Sequence, residues 1–424
     1  MPTLSVYPST IKGRVRAPPS KSHTHRALVL ASLCDGPVVV KEPLISDDTK
    51  ATIGAINAFG SSVERKDDGS IIVRGALAKP KAIIDAGGSG TTIRLMTGIA
   101  GLVDGSTTLT GNESLRRRPM APLLSAMESL GARTGSRNGC PPVEVRGRMR
   151  GGSASIAGGV SSQFVSSLMI AGSQTEMGLE LEVEGELASR PYVEVTKAML
   201  THFGIRSECS GSVVRVEGSQ VLKAKDYTIP GDFSSASFTL CAGAVAVHGS
   251  KVTVDNLGDM LQADARVVDI LKAFGAKVQV KGEEVTVEGT GGLEGTEVDL
   301  KDSPDLFPVL CIVAARARGH SILRGAGHLR FKESDRVDAM HRLLTAVGVR
   351  SEPLEDGIEV HGTGWIRGGT IQHLDDHRVA MAGAIAGIAS EQGVTVPGTE
   401  AVEKSYPGFF EDLRRIGARV EVER

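Results

Sequence analysis

The stretch Asp269–Val278, DILKAFGAKV, contains the whole architectural unit of this chain in ten residues. Its apolar positions are spaced as on one face of a helix. Gly275 follows the last of them, where a left-handed C-cap is expected, and an alternating strand begins straight after. The same sentence recurs as AINAFGSSV, AMESLGART, AMLTHFGIRS, RLLTAVGVRS and DLRRIGARVEV. The six glycines are 60, 131, 204, 275, 348 and 417, spaced 69–73 residues apart. Fixed spacing of this kind is the signature of a repeated supersecondary unit.

A second helix recurs out of phase with the first. It opens at a Ser- or Asp-rich start (Ser20, Ser89, Ser161, Ser234, Ser303, Asp375), again at 69–73-residue intervals. The bodies RALVLASL, IRLMTGIAGLV, FVSSLMIAGS, ASFTLCAGAVAV, LFPVLCIVAAR and VAMAGAIAGIA are apolar on nearly every face, so these helices belong inside a core. Alternating segments between helices, VEVTK, IIVRG, VVRVEG, VTVEG and IEVHG, read as strands. The chain is therefore six α/β elements of about 70 residues each. The last copy stops one strand short, at 420–424, and the strand-like Leu4–Tyr7 is a candidate for its missing partner. That places both termini in one domain, 1–18 plus 231–424, with a continuous domain at 19–230. The two crossings, Ala17–Pro19 and Thr228–Asp232, both contain proline and suit hinges. If three buried helices of each domain aim their N-termini at an interdomain cleft, their dipoles make it attractive to anions.

Composition narrows the function. With 424 residues and 41% hydrophobic content the chain can bury large cores. Lys and Arg number 48 against 50 Asp and Glu, and aromatics are 4%, which argues against nucleic acid. The five cysteines show neither disulfide nor zinc spacing. The longest apolar runs, near 238–247 and 381–389, fall short of the roughly 18 residues of a membrane span. PTLSVYPSTIKGRVR after Met1 has no leader pattern, so a cytoplasmic location is expected.

Candidate chemistry lies at the helix starts. In Ala17–Leu33, APPSKSHTHRALVLASL, Lys21, His23, His25 and Arg26 crowd a helix N-terminus, where cations are unfavourable without an anion. Two readings stand there: a solvated basic start, or a phosphate or carboxylate site. His23, His25 and His320 read as structural. Asp85–Arg94 is a glycine-rich turn that can cradle an anion but lacks the GK[ST] of a P-loop. Ser161-Ser162-Gln163 offers three hydrogen-bonding side chains where capping needs one. Arg116–Arg118 is a charge run that reads equally as a solvated face, and Lys332–Arg336 as a salt-bridged surface. His373…Asp375-Asp376-His377-Arg378 has a metal-like composition, but the apolar helix after it favours hydrogen-bonding and cationic roles, and no metal is expected.

Taken together these motifs resemble the 5-enolpyruvylshikimate-3-phosphate synthase family, the 3-phosphoshikimate 1-carboxyvinyltransferases. The matching stretches, in order, are PSKSHTHR (19–26), GGSGTTIR (87–94), RRRP (116–119), SSQF (161–164), ASRPY (188–192), PGDFSSAS (230–237), KESDR (332–336), DDHR (375–378) and EKSYP (403–407). The resemblance implies a two-domain inside-out α/β barrel of six βαβαββ repeats, three per domain, with buried helices and an interdomain cleft. It implies transfer of the enolpyruvyl group of phosphoenolpyruvate to the 5-hydroxyl of shikimate 3-phosphate, with release of phosphate and no cofactor. The shikimate 3-phosphate site then maps onto Lys21, Ser22, Arg26, Ser161, Ser162, Gln163, Ser189, Asp305 and Lys332. Ser161, Ser162 and Ser189 take the phosphate, and Arg26 the carboxylate. The phosphoenolpyruvate site maps onto Lys21, Gly90, Arg118, Gln163, Arg336, Arg378 and Lys404. Asp305 is implied as the base on the 5-hydroxyl, Glu333 as proton donor to the methylene, and Lys21 as sharing proton transfer.

Seven cations (Lys21, Arg26, Arg118, Lys332, Arg336, Arg378, Lys404) would repel one another without ligand, so an open ligand-free form is expected. The chain departs from the common pattern at Gly88, where an Asn is usual, at Leu95 and at His328. The sister UDP-N-acetylglucosamine enolpyruvyl transferases usually carry a reactive Cys before their Arg-Pro. The loop Thr110–Pro119 has none, which disfavours that alternative. A non-enzymatic anion-binding scaffold is disfavoured by acids set among the cations. Small-molecule substrates and a monomer, with no nucleic-acid or membrane partner, complete the expectation.

Overall fold

The structure, a computed structural model, describes residues 2–372 and 374–423. Twelve α-helices occur among the described residues, and they alternate in role. The buried set is α1 (Lys21–Ser32), α3 (Gly90–Ala100), α5 (Ser162–Gly172), α7 (Phe233–Val245), α9 (Phe307–Arg316) and α11 (His377–Ala389). The amphipathic set is α2 (Asp47–Ala58), α4 (Ala121–Ser129), α6 (Pro191–His202), α8 (Val267–Ala273), α10 (Arg336–Ala346) and α12 (Phe409–Arg415). Every residue of α7 is buried, as a helix apolar all round requires.

Each amphipathic helix ends at one of the six repeat glycines. Their φ angles, +105°, +101°, +85°, +88°, +83° and +98° from Gly60 to Gly417, all lie in the left-handed region. A side chain there meets its own carbonyl, so glycine is the residue that lets the helix turn into the strand.

One repeat shows the pattern of all. Strand Gly152–Ala157 leads through α5 to the parallel strand Leu179–Glu184. α6 then leads to the hairpin Ser207–Ser210 and Val213–Val216, whose second arm pairs antiparallel with Leu179–Glu184. Leu179, Leu181 and Val183 alternate inward against the helices. Six such four-stranded sheets occur among the described residues.

The chain forms two compact units, residues through Pro18 with those from Pro230 onward, and Pro19–Ile229. Each has its own hydrophobic core, built around α7, α9 and α11 in the first and α1, α3 and α5 in the second. Three helices are thus enclosed by three sheets in each unit, the inside-out arrangement. The repeats are completed by strands distant in sequence. Tyr227–Thr228 supplies the parallel strand beside Pro37–Lys41, and Lys12–Arg16 the one beside Lys251–Asp255. Thr3–Tyr7 sits between Val394–Pro397 and Arg419–Val422, so the truncated last copy does gain its missing strand from the N-terminus.

Three local expectations need correction. VEVTK (193–197) is helical, within α6: Pro191 starts the helix, and buried Val193, Thr196 and Leu200 recur at helical spacing, overriding β-branched propensity. The caps of α7 and α11 are Asp232 and Asp376, not Ser234 and Asp375, because those carboxylates accept the backbone N–H groups of Ser235 and Arg378. Ser303 precedes a short 3₁₀ turn, Pro304–Leu306, rather than α9 itself.

The cap geometry is testable. Gly275→Ala forces a Cβ onto a backbone at φ +88°, with the Gly292 carbonyl oxygen 3.3 Å away. The expected cost is about 1–2 kcal/mol, read as a lower urea midpoint; an unchanged midpoint would refute the left-handed cap at this position.

Candidate active site

In the Pro19–Ile229 unit the first turns of α1, α3 and α5 are tied together by side chains. Lys21 opens α1, with Nζ 3.0 Å from the Asp48 carboxylate of α2. Arg26 is 1% exposed. It donates to Thr196 Oγ1 (2.7 Å), the Ser22 carbonyl (3.0 Å), Ser166 Oγ (3.1 Å) and the Tyr192 carbonyl (3.3 Å). Burial lowers its pKa to about 10, which still leaves it charged at neutral pH. Among the described residues no carboxylate partners this buried cation, an arrangement that an anionic ligand would relieve. His25 is buried against Thr52, and burial followed by the charges of Lys21 and Arg26 holds its pKa well below the usual value. His23 pairs with Ser20, so both histidines have packing roles.

Arg94 on α3 links the next two starts, donating to Gln163 Oε1 at 2.9 Å and to Ser161 Oγ at 3.4 Å. Gln163 in turn donates to Thr91 Oγ1 at 3.0 Å. Ser161 caps α5 through the Gln163 N–H, Ser162 follows it, and Ser162 and Ser189 are both buried. Ser189 holds a left-handed φ of +58°, a strained position for a non-glycine residue. Gly90 opens α3 directly under Arg118: a Cβ there would lie 2.8 Å from Arg118 Nη1. Arg118 is buried while Arg116 and Arg117 are exposed, so the charge run divides into one enclosed cation and two solvated ones. A Cβ on Gly88 would lie 3.1 Å from the side-chain amide nitrogen of Asn112, which stands where the usual Asn side chain is missing.

The other unit carries an ionic network centred on Arg336, whose side chain is 2% exposed. It contacts Asp305, Glu333 and Asp376, each at 3.0 Å. Burial alone would favour losing its proton, but the charges of Asp376, Glu333 and Asp305 outweigh that and raise its pKa. Arg378 holds the second Asp305 oxygen at 2.9 Å, and Ser334 donates to Asp376 at 2.9 Å. Lys404 pairs with Asp375 at 2.6 Å, and Lys332 lies half-buried beside Glu333. Lys21, Arg336, Arg378 and Lys404 already carry carboxylate partners, because the chain interleaves acids with its cations.

The matched residues divide between the units: Lys21, Ser22, Arg26, Gly90, Arg118, Ser161, Ser162, Gln163 and Ser189 belong to one, and Asp305, Lys332, Glu333, Arg336, Arg378 and Lys404 to the other. Sequence reasoning passed over Arg94, although it lies inside a quoted motif at a helix start. It named Asp376 without its role of anchoring Arg336 and passed over Asp264. Ser234 donates to the Asp264 carboxylate, and burial followed by the Asp305 charge raises its pKa. Of the metal-like group, His373 lies outside the described residues. His377 and Arg378 begin α11, and Asp376 is spent on capping and on Arg336.

His328 is enclosed near Lys332. Burial first and the Lys332 charge next depress its pKa to about 4. The unfolded value is about 6.5, so this histidine's contribution to stability is complete above pH 6.5. It is lost as pH falls toward 4, where the unfolded chain takes a proton that the fold refuses. His328→Asn is therefore expected to lose less stability between pH 7 and 4.5 than the unaltered chain, by urea unfolding. Equal losses would mean that His328 is not kept neutral.

Comparison with known proteins adds the relatives. The family profile described as EPSP synthase (3-phosphoshikimate 1-carboxyvinyltransferase) matches residues 6–413. A 3-phosphoshikimate 1-carboxyvinyltransferase of Aeropyrum pernix is 46% identical over 419 residues, covering 98% of this chain and 96% of that one. The solved EPSP synthase of Acinetobacter baumannii superimposes with a TM-score of 0.84 at 29% identity, covering 100% of both chains. The enolpyruvyl transferase NikO of Streptomyces tendae shares the fold, with a TM-score of 0.79 at 19% identity over 100% of this chain and 99% of that one.

Proposed function

The chain belongs to the EPSP synthase family, the 3-phosphoshikimate 1-carboxyvinyltransferases, and from that membership we infer its reaction and the residues that perform it. It is an enzyme of the shikimate pathway that transfers the enolpyruvyl group of phosphoenolpyruvate to the 5-hydroxyl of shikimate 3-phosphate and releases phosphate. The near-complete family match over residues 6–413 carries this reading.

We propose the following division of labour. Ser161, Ser162 and Ser189 hold the 3-phosphate with hydroxyls and the free N–H groups of the α5 start, where the helix dipole adds to the attraction. The buried cation Arg26 takes the shikimate carboxylate, with Ser22, Gln163 and Lys332 as further contacts. Lys21, Arg118, Gln163, Arg336, Arg378 and Lys404 hold phosphoenolpyruvate, and Gly90 leaves the room that a side chain would fill.

Asp305 accepts the proton of the 5-hydroxyl as that oxygen attacks the protonated donor, its carboxylate oriented by Arg336 and Arg378. Glu333 supplies the methylene proton. In the ligand-free chain its carboxylate lies 3.0 Å from Arg336. Lys21, beside Asp48, shares in proton transfer. The proposal includes 1–18 with 231–424 and 19–230 as the working domains. It also includes a monomeric cytoplasmic enzyme, since one chain carries every matched residue.

The reading is tested by following phosphate release from shikimate 3-phosphate and phosphoenolpyruvate. Turnover with this acceptor is expected; turnover only with a nucleotide sugar would overturn it. Asp305→Ala and Glu333→Ala are each expected to lower kcat on the order of 10²-fold or more with KM changed far less. Normal rates in both would remove the acid–base assignment.

A further inference from the structure

Away from these residues, one face of the sheet that includes strands Arg318–Arg324, Gly357–Thr363 and Arg350–Leu354 gathers a different chemistry. His320 stands directly opposite His361 in the antiparallel register, and Glu359 lies two residues before His361 on the same face. Glu352 stands opposite Glu359 on the neighbouring strand. The intervening residues Ser321, Leu323, Ile358 and Val360 point into the core, so the His–Glu face is turned away from it.

We propose that His320, Glu359 and His361 form a binding site for a divalent transition-metal ion of the zinc type. One ligand atom from each lies within 4.8 Å of the other two. Glu359 Oε1 is 3.0 Å from His320 Nδ1 and 3.7 Å from His361 Nε2. Tetrahedral zinc with ligands at about 2.0–2.1 Å has ligand–ligand edges of about 3.3–3.4 Å, so these spacings bracket the geometry an ion needs. The two imidazole ring centroids are 4.5 Å apart with the rings inclined at 75°, edge to face.

His361 gives the second observation. Its Nε2 is buried and makes no hydrogen bond, yet faces two carboxylate oxygens, of Glu359 at 3.7 Å and Glu352 at 3.5 Å. With the ring proton on Nδ1, this nitrogen turns its lone pair toward the carboxylates, and a cation between them converts that repulsion into coordination. Two imidazoles and a carboxylate select zinc, cobalt or nickel over magnesium or calcium, which prefer oxygen ligands. Glu352, already paired with Arg350 at 2.6 Å, is left beside an open fourth position. The ion would act as a clip. It joins the strand that follows α9 to its neighbour, and the chain runs on from that strand to His328, Lys332 and Arg336.

The test uses the full chain carrying Cys140→Ser and Cys209→Ser, which removes the two thiols that are not buried. Calorimetric titration with Zn²⁺ is expected to show one ion per chain. Co²⁺ in its place should give the visible absorption of a tetrahedral site. His320→Ala, at a side chain 68% exposed and so without packing consequences, should weaken Zn²⁺ binding on the order of 10-fold or more. His361→Gln should do the same. No binding, or unchanged affinity in either histidine variant, would overturn the proposal.

Discussion

A helix that is apolar on every face must be enclosed, and this chain has six of them. Enclosing α7, α9 and α11, or α1, α3 and α5, takes three sheets around three helices, and each repeat supplies one sheet and one buried helix. The amphipathic helix of each repeat covers its sheet and is turned back by its left-handed glycine. Close packing then fixes where the buried helices begin. Their first turns carry N–H groups with no intrahelical partner, so polar residues are required at those points.

The two units meet that requirement differently. In Pro19–Ile229 the helix starts hold hydroxyls, an amide and cations, with Arg26 buried without a carboxylate and Arg94 spanning α3 and α5. That is the chemistry of anion recognition. In the other unit the starts hold acids locked to guanidinium groups, with Arg336 gripping Asp305, Glu333 and Asp376 together. A buried ion network of this kind is a weak source of stability but a strong constraint on geometry. It suits the proposed acid and base, whose carboxylates must be held still.

The sequence displays this architecture because burial and capping leave periodic traces. The repeat glycines, the all-apolar helix bodies and the unfinished last hairpin were all legible from residue types alone. Local detail was less so. VEVTK in α6 looks like a strand until Pro191 and the packing of Val193, Thr196 and Leu200 are seen. Asp48 beside Lys21, Asp305 beside Arg336 and Arg378, and Asp376 beside Arg336 were hidden because these ion pairs form between residues far apart in the chain. The same is true of His320 and His361, whose pairing depends on strand register rather than on motif spacing. Arg94 lies within a quoted motif, but its reach to Gln163 and Ser161 on α5 is visible only in the fold.

The central claim is that the hydroxyls and N–H groups at the α5 start recognise the phosphate of the acceptor. Calorimetric titration of shikimate 3-phosphate and of unphosphorylated shikimate into the unaltered chain and into Ser161→Ala/Ser189→Ala tests it most directly. Hydrogen bonds to a charged group contribute about 1.5–3 kcal/mol each, so the variant should bind shikimate 3-phosphate on the order of 10-fold or more weakly while binding shikimate as before. Equal affinity of both proteins for the phosphorylated ligand would contradict the account.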